Sequence, residues 1–351
     1  MIDKNVENKF YELKNKEIIK ILAIESSCDE TSVAIVENGR KILSNIVSTQ
    51  IPIHERFGGV VPEVASRNHI TAISNVTRAA LKESGLGFSD IDAIAVTYGA
   101  GLIGALLVGV NFAKSLAYAL GLPLVAVSHI EGHIAANYIS HKDLTPPFVC
   151  LMVSGGHTAI LKIDDYVSHS LIGTTVDDAA GEAFDKVARV VGLGYPGGPK
   201  VDNLAKEGLP CIVFKQKDSL KNSKNFSFSG IKTAVINYVH NETQKGNQIN
   251  AADLCASFED YVANELSRKT IDACCENGQT KLVVAGGVSA NSYLKKVLNE
   301  ETAKNGIELF MPELSLCTDN AAMIASAAYF MAKKGLGLSD YSLTASSSVR
   351  L

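Results

Sequence analysis

The sequence predicts an α/β protein built of two similar lobes, and three observations carry that expectation. A strand, tight turn, strand, hairpin unit occurs twice, helical patterns alternate with strands around it, and 351 residues exceed what one small core fills. Hydrophobic residues make up 46% and charged residues 20%, which excludes a disordered or fibrous chain. A net charge of −4 excludes nucleic-acid binding driven by overall charge, though not a local basic patch. Seven scattered cysteines, without a C-x-x-C pair, fit reduced thiols better than a disulfide framework or a zinc ribbon. No stretch near the N-terminus has the apolar core of a signal peptide, and no later segment reads as an uninterrupted membrane span. A cytoplasmic location, with no membrane partner, is therefore expected.

Taken in order, residues 1–18 are polar and read as an extension ahead of the fold. The first hairpin unit is IKILAIESSCDETSVAIVENGRKIL, with apolar runs at residues 21–24 and 33–36 and an Asn38-Gly39 turn into a third strand. NHITAISNVTRAALKES has helical spacing of three and four; the strand IDAIAVTY and the helix GALLVGVNFAKSLAYAL follow. Thr145-Pro146-Pro147 marks a boundary, after which PFVCLMVSGGHTAILKIDDYVSHSLIGTT repeats the hairpin layout about 130 residues on. The later strand KLVVAGG is flanked by helices. The lobes are expected at 19–130 plus 318–345 and at 131–317.

Four patterns bear on chemistry. Gly99, Gly101 and Gly104 spell G-x-G-x-x-G between a strand and a helix, but the next strand ends in Ser128-His129 rather than an acid, so close backbone packing is the better reading than a dinucleotide site. The turns ESSCDE and SGGH expose backbone N–H groups at equivalent places in the two lobes, which predicts a nucleotide clamped between them. A third glycine turn, Gly286-Gly287, opens a helix expected to be capped by Ser289, with Asn291 placed to meet a base or ribose. In HIEGH, His129 and His133 lie about 40° apart on a helix and can share one metal ion, whereas Glu131 falls about 160° from both. A zinc peptidase needs that glutamate near the metal, so the metal reading stands and the peptidase reading does not. Asp319, ahead of a small-residue helix, can supply a carboxylate, although spacing does not place it.

Acids near the predicted turns are Asp29, Glu30, Asp177, Asp178, Glu182, Asp185 and Asp202, where a carboxylate can hold a metal, a ribose hydroxyl or a proton; capping suits Asp177 or Asp178 as well. VFKQKDSLKNSKNFSFSGIKTAV interleaves Lys215, Lys217, Lys221, Lys224 and Lys232 with Phe214, Phe226 and Phe228. It is the best candidate for an RNA-facing loop, with a solvated loop on a buried phenylalanine anchor equally open.

IESSCDETSVAIV, HIEGHIAAN, VSGGHTAI, GEAFDKVARVVGLGYPGGPKVDNLA, FSFSGIKT, AGGVSANSYL and CTDNAAMIAS, in that order, closely resemble the TsaD family of tRNA N6-adenosine threonylcarbamoyltransferases, formerly labelled O-sialoglycoprotein endopeptidases. The resemblance implies the two-lobed actin/Hsp70/sugar-kinase-like (ASKHA) fold with duplicated ribonuclease-H-like lobes. It also implies transfer of a threonylcarbamoyl group from threonylcarbamoyl-adenylate to N6 of adenosine 37 in tRNA (t6A modification). An ATP-using kinase or ATPase of the same fold is the alternative. By the same resemblance His129, His133 and Asp319 hold one divalent ion, iron or zinc. The adenylate, or ATP, lies against Met152, Val153, Ser154, Gly155, Gly156, Asp185, Gly198, Asp202 and Asn291. Asp29 or Glu30 is the expected proton acceptor. Implied partners are tRNA, a sister subunit of the same fold (TsaB-like), a small ATPase (TsaE-like) and an upstream threonylcarbamoyl-adenylate synthase. Ala100 stands where the family usually has proline.

Overall fold

In the computed structural model, which describes residues 2–214, 220 and 222–349, two twisted sheets face each other across a pair of helices. The first sheet is built from β1 (Lys20–Glu25), β2 (Glu30–Glu37), β3 (Lys41–Thr49), β4 (Ala93–Gly99) and β5 (Leu124–Ser128). The second uses β6 (Phe148–Val153), β7 (Thr158–Asp165), β8 (Ser168–Thr174), β9 (Lys281–Ala285) and β10 (Glu308–Phe310). A short β11 (Leu338–Ser339) adds to the free edge of β5. The orders β5-β4-β1-β2-β3 and β10-β9-β6-β7-β8 are the same pattern. Each is an antiparallel three-strand meander whose first strand pairs in parallel with a later strand, β4 or β9. The repeat seen in the sequence is thus a repeat of topology.

Both faces of the inner strands are covered, so β1, β2, β4, β6 and β9 bury both of their side-chain rows, while β3 and β8 at the edges stay largely open. On β1 and β2, Leu22, Ile24, Val33 and Ile35 point into an outer core shared with α3 (Pro62–Ser84) and α4 (Ile103–Leu120), two helices that follow the short α2 (Ile51–His54). Ile21, Ala23, Ala34 and Val36 point inward to a central core. There they meet Phe148, Cys150 and Met152 of β6 through α5 (His129–Ser140) and α12 (Ala321–Lys334). These helices approach closely: a Cβ on Gly132 would lie 2.5 Å from Ile324 Cδ1, so a larger residue there would have to displace that side chain.

The outer face of the second sheet buries Val149, Leu151 and Val153 against α6 (Ala180–Val190), α7 (Gly197–Ala205), α8 (Ser229–Gln244), α9 (Ala251–Glu276) and α10 (Ser292–Asn305). A single turn, α11 (Leu314–Cys317), leads back to α12.

Two expectations change here. Residues 4–12 form a helix, α1, and bury Phe10, with Leu13 just beyond, in the central core, so part of the polar leader is packed structure. The leader looked like an extension because only one face of α1 is apolar. Helix α4 has the length and composition of a membrane span, yet one face of it, Leu106, Val110, Ala113 and Ala117, lies in the outer core of the first sheet.

Candidate metal centre and nucleotide cleft

Strand β5 ends where α5 begins, and a capping box fixes that junction. The Ser128 hydroxyl accepts from Ile130 N at 3.3 Å, and Glu131 returns a carboxylate to Ser128 N at 3.0 Å. Glu131 is therefore spent on the helix start, on the side away from the histidines, as the helical angles predict. His129 and His133 leave the opposite face with ring centroids 4.5 Å apart.

Asp319 arrives from the connection between α11 and α12, directly before Asn320, whose side chain caps α12 by accepting from Met323 N at 3.1 Å. Its Oδ1 lies 3.4 Å from His129 Nε2 and 3.3 Å from His133 Nε2. Those separations are long for hydrogen bonds, but they match the edge of about 3.4 Å between ligand atoms on one tetrahedral ion with bonds of about 2.1 Å. All three donors lie within 4.8 Å of one another, and two imidazoles plus a carboxylate form a donor set that iron or zinc accepts. The residues present therefore fit a divalent cation.

Behind the centre sits a residue that the sequence reading missed. Glu25, fully buried at the end of β1, places Oε2 3.3 Å from His129 Nδ1 and accepts from Thr97 Oγ1 at 2.5 Å and Ser27 N at 2.6 Å. It is a carboxylate orienting a candidate ligand histidine from behind. The available signal was an acid closing the otherwise apolar strand ILAIE. Burial alone would depress the His129 imidazole, but the Asp319 and Glu25 carboxylates hold it well above the usual range. Burial would likewise raise Asp319, yet His129 and His133 hold it far below the ordinary carboxylate range. Burial and the neighbouring His129 lower His133.

The β1–β2 turn carries Asp29 and Glu30. Asp29 Oδ2 accepts from Tyr195 Oη, across the cleft, at 3.0 Å. Glu30 accepts from Thr49 Oγ1 at 3.1 Å; burial, then Asp319 and Asp29, push its carboxyl up to about 10. Glu30 thus holds its proton near neutrality. His69 braces this turn from α3. Its Nε2 lies 2.9 Å from Cys28 O, which can only accept, so Nε2 donates and Nδ1 accepts from Thr31 Oγ1 at 2.7 Å. Gly101 closes on the same turn. A Cβ there would lie 2.5 Å from Ser27 O, so the G-x-G-x-x-G run serves packing, as expected.

The equivalent turn of the second lobe, after β6, exposes Gly155 and Gly156 and is held by Ser154 N donating to His157 O at 2.8 Å. Burial, then His129 and His133, lower the His157 imidazole to about 4, so this turn feels the histidine pair of α5.

Among the other residues expected at a nucleotide, Met152 and Val153 are fully buried, in opposite cores, and end β6 directly before the exposed Gly155-Gly156 turn. Asp185, raised by burial, accepts from Gly197 N at 2.7 Å and shapes the turn that carries Gly198. Asp202 accepts from Ser292 N at 3.0 Å and Oγ at 2.6 Å, and from Lys206 Nζ at 2.9 Å. The cap of α10 is Asn291, not Ser289, because a 3-10 turn over Gly287–Ala290 delays the helix start. Asn291 Oδ1 accepts from Leu294 N at 2.8 Å, and its Nδ2 donates to Glu259 Oε1 at 2.6 Å.

Asp177 caps α8, accepting from Phe228 N at 2.8 Å. In the lysine-rich segment Lys215, Lys217 and Lys221 lie outside the described residues. Lys224 pairs with Glu276 at 2.8 Å, Lys232 pairs with Asp178, and Phe226 and Phe228 are fully buried. The buried-anchor reading fits those residues better than base stacking.

The fold defines the class first. The chain is similar to full-length HypF in its phosphate- and nucleotide-bound form (TM-score 0.60, 17% identity over 92% of this chain), of which it spans about half, 47%. It is also similar to the activator of 2-hydroxyisocaproyl-CoA dehydratase from Clostridium difficile with bound ADPNP (TM-score 0.50, 16% identity, 90% of this chain and 96% of that one). These likenesses show the two-lobed ASKHA fold. Sequence comparison narrows it. A Clostridium perfringens (strain SM101) tRNA N6-adenosine threonylcarbamoyltransferase is 57% identical over 338 residues, covering 96% of this chain and 99% of the relative. A Clostridium botulinum (strain 657) protein of the same name is 59% identical over 321 residues, 91% and 94%. With the TsaD profile, tRNA N6-adenosine threonylcarbamoyltransferase, matching residues 41–326, the chain belongs to the TsaD family.

Proposed function

We propose that this chain transfers the threonylcarbamoyl group of threonylcarbamoyl-adenylate to N6 of adenosine 37 in tRNAs reading codons that begin with A. The observation that carries this reading is the convergence of His129, His133 and Asp319 beside a cleft whose two lobes present equivalent small-residue turns. Family membership supplies the chemistry. The donor's carbamoyl carbon sits in a mixed anhydride and is already activated, so the protein mainly holds donor and acceptor in line. A divalent ion, iron or zinc, on the two histidines and Asp319 supplies Lewis acidity toward the donor.

The remaining work falls to the chain. The turns at residues 26–29 and 154–157 offer backbone N–H groups to the phosphate, and the turn at Gly198, shaped by Asp185, meets the adenosine. The adenine N6 attacks the carbamoyl carbon; the N–C bond forms, the anhydride C–O bond breaks, AMP leaves, and the amine proton passes to the Asp29 carboxylate. Cytoplasmic tRNA, a sister subunit, a small ATPase and a synthase supplying the donor complete the reading. A kinase or ATPase of this fold has no use for the histidine pair.

The test combines the purified chain with threonylcarbamoyl-adenylate and unmodified tRNA, with and without the partner proteins, and assays digested tRNA for the modified nucleoside by mass spectrometry. Modified adenosine together with stoichiometric AMP is the expected result. ATP consumption with phosphorylation of a small molecule, and unmodified tRNA under every condition, would refute it.

A further inference from the structure

Tyr195 occupies a junction that the transfer chemistry described above leaves without a role. It stands in the α6–α7 connection, directly before Pro196 and the turn at Gly197-Gly198. Its hydroxyl crosses to the other lobe, where it donates to Asp29 Oδ2 at 3.0 Å. Asp29 is buried, and burial followed by the Asp29 charge raises the Tyr195 hydroxyl, so the bond has one polarity: tyrosine donates, carboxylate accepts. The backbone behind the ring is fixed as well. Lys200 Nζ donates to Tyr195 O at 2.9 Å and pairs with Glu55 of the first lobe at 2.7 Å, while Asp185 holds Gly197 N at 2.7 Å. Nearby, Arg189 donates to Gly58 O at 2.9 Å. The lobes therefore touch at this mouth through two contacts that only hold them together and one that ends on the expected proton acceptor.

We infer that Tyr195 is a positioning residue for transfer: it ties the orientation of the Asp29 carboxylate to the turn that carries Gly198. The inference rests on the proposed role of Asp29. A carboxylate with one oxygen held by a rigid phenol keeps the other aimed, and a shift of about 1 Å in a reacting group is enough to lose much of the rate. Because Tyr195 is continuous with Gly197-Gly198, seating of the adenosine in that turn and aiming of Asp29 become one event. Glu55 and Arg189 hold the lobes near each other without reaching Asp29.

The experiment compares wild type, Tyr195→Phe and Glu55→Gln, each with the same partner complement. It measures single-turnover transfer from threonylcarbamoyl-adenylate, KM for the donor, AMP affinity by calorimetry, and melting temperature. Tyr195→Phe removes one oxygen and keeps the ring. It is expected to lower the transfer rate about tenfold to a hundredfold, the range for a hydrogen bond to a charged group, with donor KM, AMP affinity and melting temperature near wild type. Glu55→Gln is expected to change the rate less than threefold. Equal loss in both variants would make Tyr195 a lobe latch and overturn the inference, as would an unchanged rate in Tyr195→Phe. Absence of transfer in wild type would instead count against the proposed function, so the two failures are separable.

Discussion

At the scale of single residues, the cap of α10 turns on one buried acid. Glu259, from α9, accepts from Asn291 at 2.6 Å, and burial, opposed by that hydrogen bond and reinforced by Asp202, pushes its carboxyl up to about 7. A carboxyl raised in the folded state costs stability as pH rises, because the unfolded chain releases its proton near the ordinary value while the folded chain resists. Its contribution is fully present below about pH 4.5 and is lost by about pH 7, an effect of up to about 3 kcal/mol. Glu259→Gln keeps an acceptor for Asn291 and removes the titration. It should leave unfolding stability near wild type at pH 4.5 and raise it at pH 8, measured by denaturant titration at both values. A constant difference across pH would show that Glu259 titrates alike in both states. None of this was legible in FEDY, because the sequence gives no sign that α9 passes beneath the α10 cap.

At the scale of elements, the junction of β5 and α5 decides how the histidines are held. Ser128 and Glu131 form a reciprocal cap worth about 1 kcal/mol, and the same cap sets the rotation that sends His129 and His133 to the other face. Glu131→Ala should therefore lower stability by about 1 kcal/mol while metal content, read by plasma emission spectroscopy on zinc-loaded protein, stays near wild type. Asp319→Ala should lose most of the metal. Complete metal loss in Glu131→Ala would mean that the cap, rather than the ligands, determines occupancy. The histidine pair and the direction of Glu131 were readable because helical spacing is local. Asp319 was recognisable as an acid ahead of a helix, but its meeting with α5 depends on how α12 packs across the central core, which no local pattern encodes. Glu25 escaped notice for the same reason, since its partners His129 and Thr97 come from α5 and β4. The two hairpin units were legible because alternation and turn residues are local signals, whereas α1 was hidden by having a single apolar face.

At the scale of the whole molecule, a guanidinium bridges the lobes at the end of α5 away from the histidines, near the ion pair between Lys334 and Asp165. Arg40, on the β2–β3 turn of the first sheet, donates to Tyr138 O at 2.9 Å, His141 O at 3.1 Å, Leu144 O at 2.9 Å and Tyr166 Oη at 3.1 Å. It also lies 5.3 Å from the centre of the Phe330 ring, which stacks on Tyr166. Three of its acceptors are carbonyls at and beyond the end of α5, where a cation also meets the negative end of the helix dipole. Arg40→Ala leaves those carbonyls without this donor and removes the cation lying over the Phe330 ring, so a loss of about 3 kcal/mol is expected. Because the central core spans both sheets, the chain should still unfold in one transition, with a lower midpoint and an unchanged denaturant slope. Arg40→Lys keeps the charge but not the fork, and should recover less than half of the loss. Two resolved transitions in Arg40→Ala would show that the guanidinium, and not the α5–α12 layer, makes the lobes one cooperative unit. Full recovery by lysine would reduce its role to charge alone.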